Sequence, residues 1–291
     1  MDENEFLAER FEAHRGHLRA VAYRMLGSLS EADDAVQEAW LRLSRSDTSA
    51  VENLGGWLTT IVARVSLNML RSRTSRREDP LDIRLPDPVV SPSEGLDPEH
   101  QALLVDSVGL AMLVVLEALE PAERLAFVLH DMFAVPFDEI ATVLERSPAA
   151  TRQLASRARR RVQGMNPAPA TNVSRQREIV EAFLAASQDG NFEALLEVLD
   201  PDVVLRADTG ATAAQVIRGA RQVAGRAVFF RQFGYTSVRV LVNGAAGIVS
   251  VVDGQPRAVL GFTIAGDRIV ELDILADPKR LSQLDLQIAL N

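Results

Sequence analysis

Apolar residues recur at helical spacing through most of the first 165 positions, and the pattern changes to short alternating runs near residue 200. From Phe11 to Ser44 two amphipathic helices are predicted, separated by Gly27-Ser28-Leu29-Ser30. Ser30 is expected to cap the second, whose first turn holds Glu31, Asp33 and Asp34, where the positive end of the macrodipole favours carboxylates. A third helix is predicted from about Leu54 to Arg73, with Trp57, Leu58, Ile61, Val65 and Met69 at helical intervals. Residues 78–99 are rich in acids and carry Pro80, Pro86, Pro88, Pro92 and Pro98, which excludes a long helix and reads as a linker. Helices from Leu103 to Leu119 and from Ala122 to Phe133 are predicted next, with His130 and Asp131 on the surface of the second.

The stretch from Phe137 to Val162 is the most informative. Ile140, Val143 and Leu144 lie on one helical face, and that pattern breaks at Arg146-Ser147-Pro148. Ser147 suits an N-cap and Pro148 the first helical position, where no amide donor is needed. In the helix that follows, Thr151, Ala155, Ala158 and Val162 make a narrow, small-residue face that admits a close neighbour. Arg152, Gln153, Ser156, Arg157 and Arg160 point elsewhere, and such donors match base edges and phosphates in a major groove. The segment reads as a helix-turn-helix. The competing reading is a surface hairpin with solvated arginines.

Beyond a connector at 165–173, helices are predicted from Ser174 to Ser187 and from Phe192 to Leu199, with a turn at Asp189-Gly190-Asn191. Short β-rich runs follow at Val203–Ala207, Ser237–Val242, Gly247–Val252, Arg257–Ile264 and Ile269–Leu275, bounded by Gly, Asn and Asp. Helices followed by an antiparallel sheet imply an α+β domain with a curved sheet.

Composition narrows the chemistry. The chain has no cysteine and only four scattered histidines, so no disulfide framework, metal site or cofactor is expected. No apolar run is long enough to span a membrane, and the acidic start, MDENEFLAERFE, is unlike a signal peptide, which together predict a cytoplasmic protein. The net charge of -9 argues against nucleic acid until its distribution is considered. Residues 57–77 hold Arg64, Arg71, Arg73, Arg76 and Arg77 with no acid, and residues 146–161 hold six arginines with none. These are two separate basic faces.

The block AYRMLGSLSEADDAVQEAWLRL, followed by GGWLTTIVARVSLNMLRSR, resembles region 2 of bacterial RNA polymerase sigma factors of the extracytoplasmic-function (ECF) type, and Phe137–Val162 resembles their region 4. The fold implied is multidomain, with two all-α sigma domains, a region 2 helical bundle at 1–77 and a region 4 helix-turn-helix at 100–164. By that resemblance Asp33, Asp34, Val36, Gln37 and Glu38 dock on core polymerase. Trp57, Arg64, Asn68, Arg71, Arg73, Arg76 and Arg77 meet the melted minus-10 element, and Ser147, Thr151, Arg152, Gln153, Ser156, Arg157 and Arg160 the minus-35 duplex. Core RNA polymerase, through its β′ and β subunits, and promoter DNA are the implied partners.

Residues 174–291 resemble the SnoaL-like (NTF2-like) cone, a bent sheet wrapped by helices, which one ECF group carries as a built-in regulator. Leu85-Pro86-Asp87-Pro88 resembles that group's linker motif, with Arg84 in place of its usual Trp. Asp208, Gly210, Asp277, Pro278 and Lys279 lie in altered copies of its C-terminal signatures and are candidate regulatory contacts to the sigma domains or the linker. Three roles stay open for this domain: docking within the chain, sensing a small-molecule ligand, or catalysis with Asp208 and Asp273 as the available carboxylates. Asp273 is expected to face solvent. The rival to the sigma reading is a helix-turn-helix regulator with a ligand-sensing or catalytic SnoaL-like domain.

Overall fold

The computed structural model describes residues 3–46, 51, 53–76, 85–93, 109–165, 172–210 and 214–287. They divide into two compact units, one from residues up to 80 with 115–165, the other from 81–114 with the residues beyond 165.

The first unit is helical. Helices α1 (Glu3–Leu26), α2 (Leu29–Leu43) and α3 (Leu54–Arg76) pack together through Leu18, Met25, Ala35, Leu43, Leu58 and Leu67, all fully buried. The cap of α2 is Ser28, not Ser30, which lies inside the helix. Ser28 has the extended backbone of a cap (φ -127°, ψ 129°), and its hydroxyl meets that of Ser30 at 3.2 Å. Helix α4 (Leu110–Glu117) leads into α5 (Pro121–Phe127), which begins on a proline and widens into a π turn at Val128–Met132. Helices α6 (Phe137–Leu144) and α7 (Pro148–Met165) follow. Arg124, 3% exposed, ties the two groups of helices by donating to the Met25 carbonyl at 2.8 Å and to Glu117 at 3.0 Å. A buried guanidinium needs such partners, because an unpaired charge in the interior is costly.

The second unit opens with strand β1 (Val90–Pro92), inside the stretch read as a linker. Helices α8 (Val173–Asp189) and α9 (Phe192–Val198) come next, each capped by an asparagine side chain that accepts a backbone N–H. Strands β2 (Leu199–Asp208) and β3 (Gln215–Arg218), helix α10 (Ala220–Phe230), and strands β4 (Thr236–Val242), β5 (Ala245–Val252), β6 (Gln255–Ala265) and β7 (Arg268–Leu275) complete it, with a short α11 (Pro278–Leu281). The sheet order is β1-β4-β5-β6-β7-β2-β3. This is the α+β arrangement of a SnoaL-like domain, with one correction: β2 runs parallel to β7, and the other neighbouring pairs are antiparallel.

The sheet has two apolar faces. One packs with α8 and α10 through Ile179, Phe183, Val223, Ile248 and Leu272. The other gathers Val90, Val242, Val249, Val259, Leu275 and Leu281. Linker and C-terminal residues therefore share one core.

Candidate functional site

On α2, Asp33, Asp34 and Gln37 are exposed and Glu38 is half-buried. Asp33 pairs with Arg19 at 2.7 Å and Glu38 with Arg42 at 2.9 Å. Asp34 and Gln37 make no side-chain bond among the described residues. Val36 is 1% exposed, so it belongs to the core of the bundle.

On α3, Arg64, Asn68 and Arg71 are exposed and Trp57 half-buried. Spaced by seven, four and three residues, they form one stripe. Arg73 stands apart from it: its guanidinium donates to Glu31 at 3.1 Å and to the Leu26 carbonyl at 3.1 Å. The side chain of Arg76, and all of Arg77, lie outside the described residues.

The helix-turn-helix forms as its chemistry requires. Glu145 ends α6 in the left-handed region (φ 54°), and the Arg146 N–H reaches back to the Ala141 carbonyl at 3.0 Å. Ser147 then caps α7 by accepting the Ala150 N–H at 3.2 Å. Thr151, Leu154, Ala155, Ala158 and Val162 are buried, whereas Arg152, Gln153, Ser156, Arg157 and Arg160 are exposed. Thr151, 0% exposed, donates its hydroxyl to the Ser147 carbonyl and so faces inward. Arg152 lies 5.6 Å over the Phe137 ring, which is stacked on His130 at 3.8 Å. Arg159 and Arg161 are tied to Asp131 and Glu123. Asp131 is thus an ion-pair partner, and His130 packs against an aromatic ring.

In the second unit the candidate contacts converge on a residue that sequence reasoning passed over. Arg280, 7% exposed, donates to Asp208 at 2.6 Å, to the Leu85 carbonyl at 2.6 Å and to Asp87 at 2.9 Å. Asp87 and Asp208 are themselves only 5% and 8% exposed. Next to this junction, Val89 and Asn243 exchange two hydrogen bonds, and Val90, Ser91 and Pro92 pair with Val242, Leu241 and Val240. Arg177 donates to the Ser93 carbonyl at 2.5 Å. Asp277 caps α11 through the Lys279 N–H, which sets Pro278 in its first turn. Gly210 (φ 78°) lies so close that a Cβ there would be 2.9 Å from the Asp277 carboxyl carbon. Arg280 leaves little signal of its own in one sequence, although it lies within the family-like motif at 276–281.

Asp273 does not face solvent. It is 2% exposed and pairs with Arg206 at 3.0 Å, while Arg206 also holds Glu271 at 2.8 Å. Burial raises the Asp273 carboxyl to about 6, although Arg206 acts in the opposite direction. Neither Asp273 nor Asp208 lines the cavity between the sheet and its helices.

Residues 10–76 match the family model for Sigma-70 region 2, and residues 110–162 that for Sigma-70, region 4. The ECF RNA polymerase sigma factor SigJ of Mycobacterium tuberculosis is 38% identical over 94% of this chain and 92% of its own. The probable ECF RNA polymerase sigma factor SigI of the same organism is 32% identical over 99% of both chains. The crystal structure of the M. tuberculosis extracytoplasmic function sigma factor SigJ superposes with a TM-score of 0.77 at 36% identity, covering 96% of this chain and 99% of that one.

Proposed function

The chain belongs to the extracytoplasmic-function family of RNA polymerase sigma factors, which direct core polymerase to promoters, and from that premise we propose how its parts divide the work. The exposed Asp34 and Gln37 of α2, flanked by the paired Asp33 and Glu38, form the docking face for core polymerase. The stripe Trp57, Arg64, Asn68 and Arg71 receives the melted minus-10 strand: arginines neutralise phosphates and the indole and amide meet splayed bases. Arg152, Gln153, Ser156, Arg157 and Arg160 read the minus-35 duplex in the cytoplasm.

Residues 174–291 act as the chain's own regulator, and the observation that carries this is the Arg280 junction. One buried guanidinium holds a residue of β2, Asp208, together with Leu85 and Asp87 from the segment joining region 2 to region 4. That segment also adds β1 to the edge of the C-terminal sheet. A connector folded into another domain is restrained, and initiation requires the two sigma regions to reach elements whose centres are about 25 base pairs, or about 85 Å, apart. The held linker is the restrained state of the protein. No turnover is part of this reading, since Asp208 and Asp273 are each engaged by an arginine away from the cavity.

Transcription in vitro with core RNA polymerase and a pool of random promoter fragments tests the reading. The full chain should select fragments with shared minus-35 and minus-10 elements. Initiation no different from that of core enzyme alone would overturn it.

A further inference from the structure

Between the sheet and its helices in the second unit is a cavity of about 560 Å³, within the range of pockets that hold small organic molecules. Its deep wall is apolar, formed by the buried Phe183, Leu205, Val223, Ile248 and Leu272. Its charged residues are of one sign. Arg226, Arg231 and Arg257 all line it and all are exposed, which sets them at the rim; no Asp, Glu or Lys lines it among the described residues.

None of the three arginines is neutralised by a carboxylate among the described residues. Arg226 lies 5.0 Å over the Phe230 ring and has a 3.4 Å contact to the Gln215 amide oxygen. Arg231 donates to the backbone carbonyl of Asp189 at 3.2 Å. Arg257 makes no hydrogen bond or ion pair among the described residues. Elsewhere in this unit Arg175, Arg206, Arg239 and Arg280 each have an acidic partner, while Arg177 and Arg268 are held by backbone carbonyls and Arg221 lies over the Phe192 ring. Beside Phe230, Phe229 and Phe233 are 51% and 48% exposed, unusual for phenylalanine in the absence of a binding role.

We infer that this cavity binds an anionic amphiphile, a molecule with an apolar body and a single carboxylate, its body against the deep wall and its head among the rim arginines. Guanidinium matches carboxylate through paired N–H donors, and the apolar deep wall selects the body by shape and size, while the polar remainder of the lining, Ser187, Thr209, Tyr235, Ser237 and Ser250 among it, is uncharged. Ala207, Thr209 and Ala276 also line the cavity and flank Asp208 and Asp277, so an occupant rests against the strand ends that hold the linker. The inference builds on the regulatory reading of this domain but stands on the cavity, so binding alone tests it apart from any effect on transcription.

The test is isothermal titration of the full chain with decanoate, decanol and decylamine. Decanoate should bind saturably with one site, decanol at least tenfold more weakly, and decylamine more weakly still. The double variant R226M/R257M should reduce decanoate to the affinity of decanol. Ala227→Trp, which fills the cavity, should abolish binding of both while minus-35 and minus-10 selection persists. Absence of decanoate binding at millimolar concentration, equal affinity for acid and alcohol, or an unchanged affinity in the double variant would each overturn the assignment.

Discussion

Arg64, on the exposed stripe of α3, donates through Nη2 to the backbone carbonyl of Thr142 in α6 at 3.2 Å. A candidate minus-10 contact is therefore bonded to the first helix of the minus-35 reader, inside a single compact unit. Two elements about 85 Å apart on DNA cannot both be met from that arrangement. On the division of work proposed above, engagement of a promoter breaks the Arg64–Thr142 contact and the Arg124 bond to the Met25 carbonyl.

Opening can be read by energy transfer. The chain has no native cysteine, so dyes at Arg45→Cys and Glu139→Cys report on the first unit alone. Transfer should be efficient in the free protein and fall sharply when core polymerase and promoter DNA are added. Unchanged transfer in the initiation complex would mean that the closed unit binds promoters as it is.

The recognition helix makes a graded prediction. Arg157→Ala should lower promoter use through the minus-35 element by about tenfold to a hundredfold, since one good base contact is worth about 1–3 kcal/mol. Thr151→Val, at a fully buried position, should leave the footprint in place and lower thermal stability instead. Loss of the minus-35 footprint in Thr151→Val with native stability would return Thr151 to the DNA-contacting set.

On α2, Asp34 and Asp33 should separate. Asp34→Arg places a cation at an exposed acid with no partner among the described residues and should weaken core polymerase binding by tenfold or more. Asp33→Asn removes a charge already committed to Arg19 and should have the smaller effect, because exposed pairs are worth about 1 kcal/mol or less. Equal retention of both variants on immobilised core enzyme would argue against this face.

Legibility in the sequence followed the range of the interactions. The helix-turn-helix was readable because its signals are local: a cap and proline at Ser147-Pro148, and a small-residue face repeating every three or four positions. Assigning Thr151 to DNA went too far, since the same periodicity that made α7 a helix turns that hydroxyl inward. Strand β3 and helix α10 were passed over, β3 because its residues are mostly exposed and carry no alternation. The Arg280 junction joins residues 193 positions apart, which no local pattern reports. Asp273 reads as a solvent-facing strand residue by alternation, yet both faces of this sheet are covered, so its partner Arg206 on the parallel neighbour decides its environment.

That environment has a pH signature. The Asp273 carboxyl is raised to about 6 in the folded chain, against about 3.9 unfolded. Between those values the native state holds a proton that the unfolded state has released, so this group's contribution to stability falls as pH rises from about 4 to about 6. Asp273→Asn lacks the titration. In urea unfolding, the difference between variant and native chain should therefore move by about 2 kcal/mol in favour of the variant from pH 4 to pH 7. A pH-independent difference would mean that Arg206 keeps the carboxylate ionised throughout.

The central claim is that the linker is held by the C-terminal domain and that this restrains initiation. Asp87→Ala addresses it most directly, because it removes the linker's carboxylate while leaving Arg280 paired with Asp208. In transcription in vitro with core polymerase on one selected promoter, Asp87→Ala should initiate severalfold more often than the unaltered chain at equal core occupancy. Initiation equal to or below that of the unaltered chain would contradict the account.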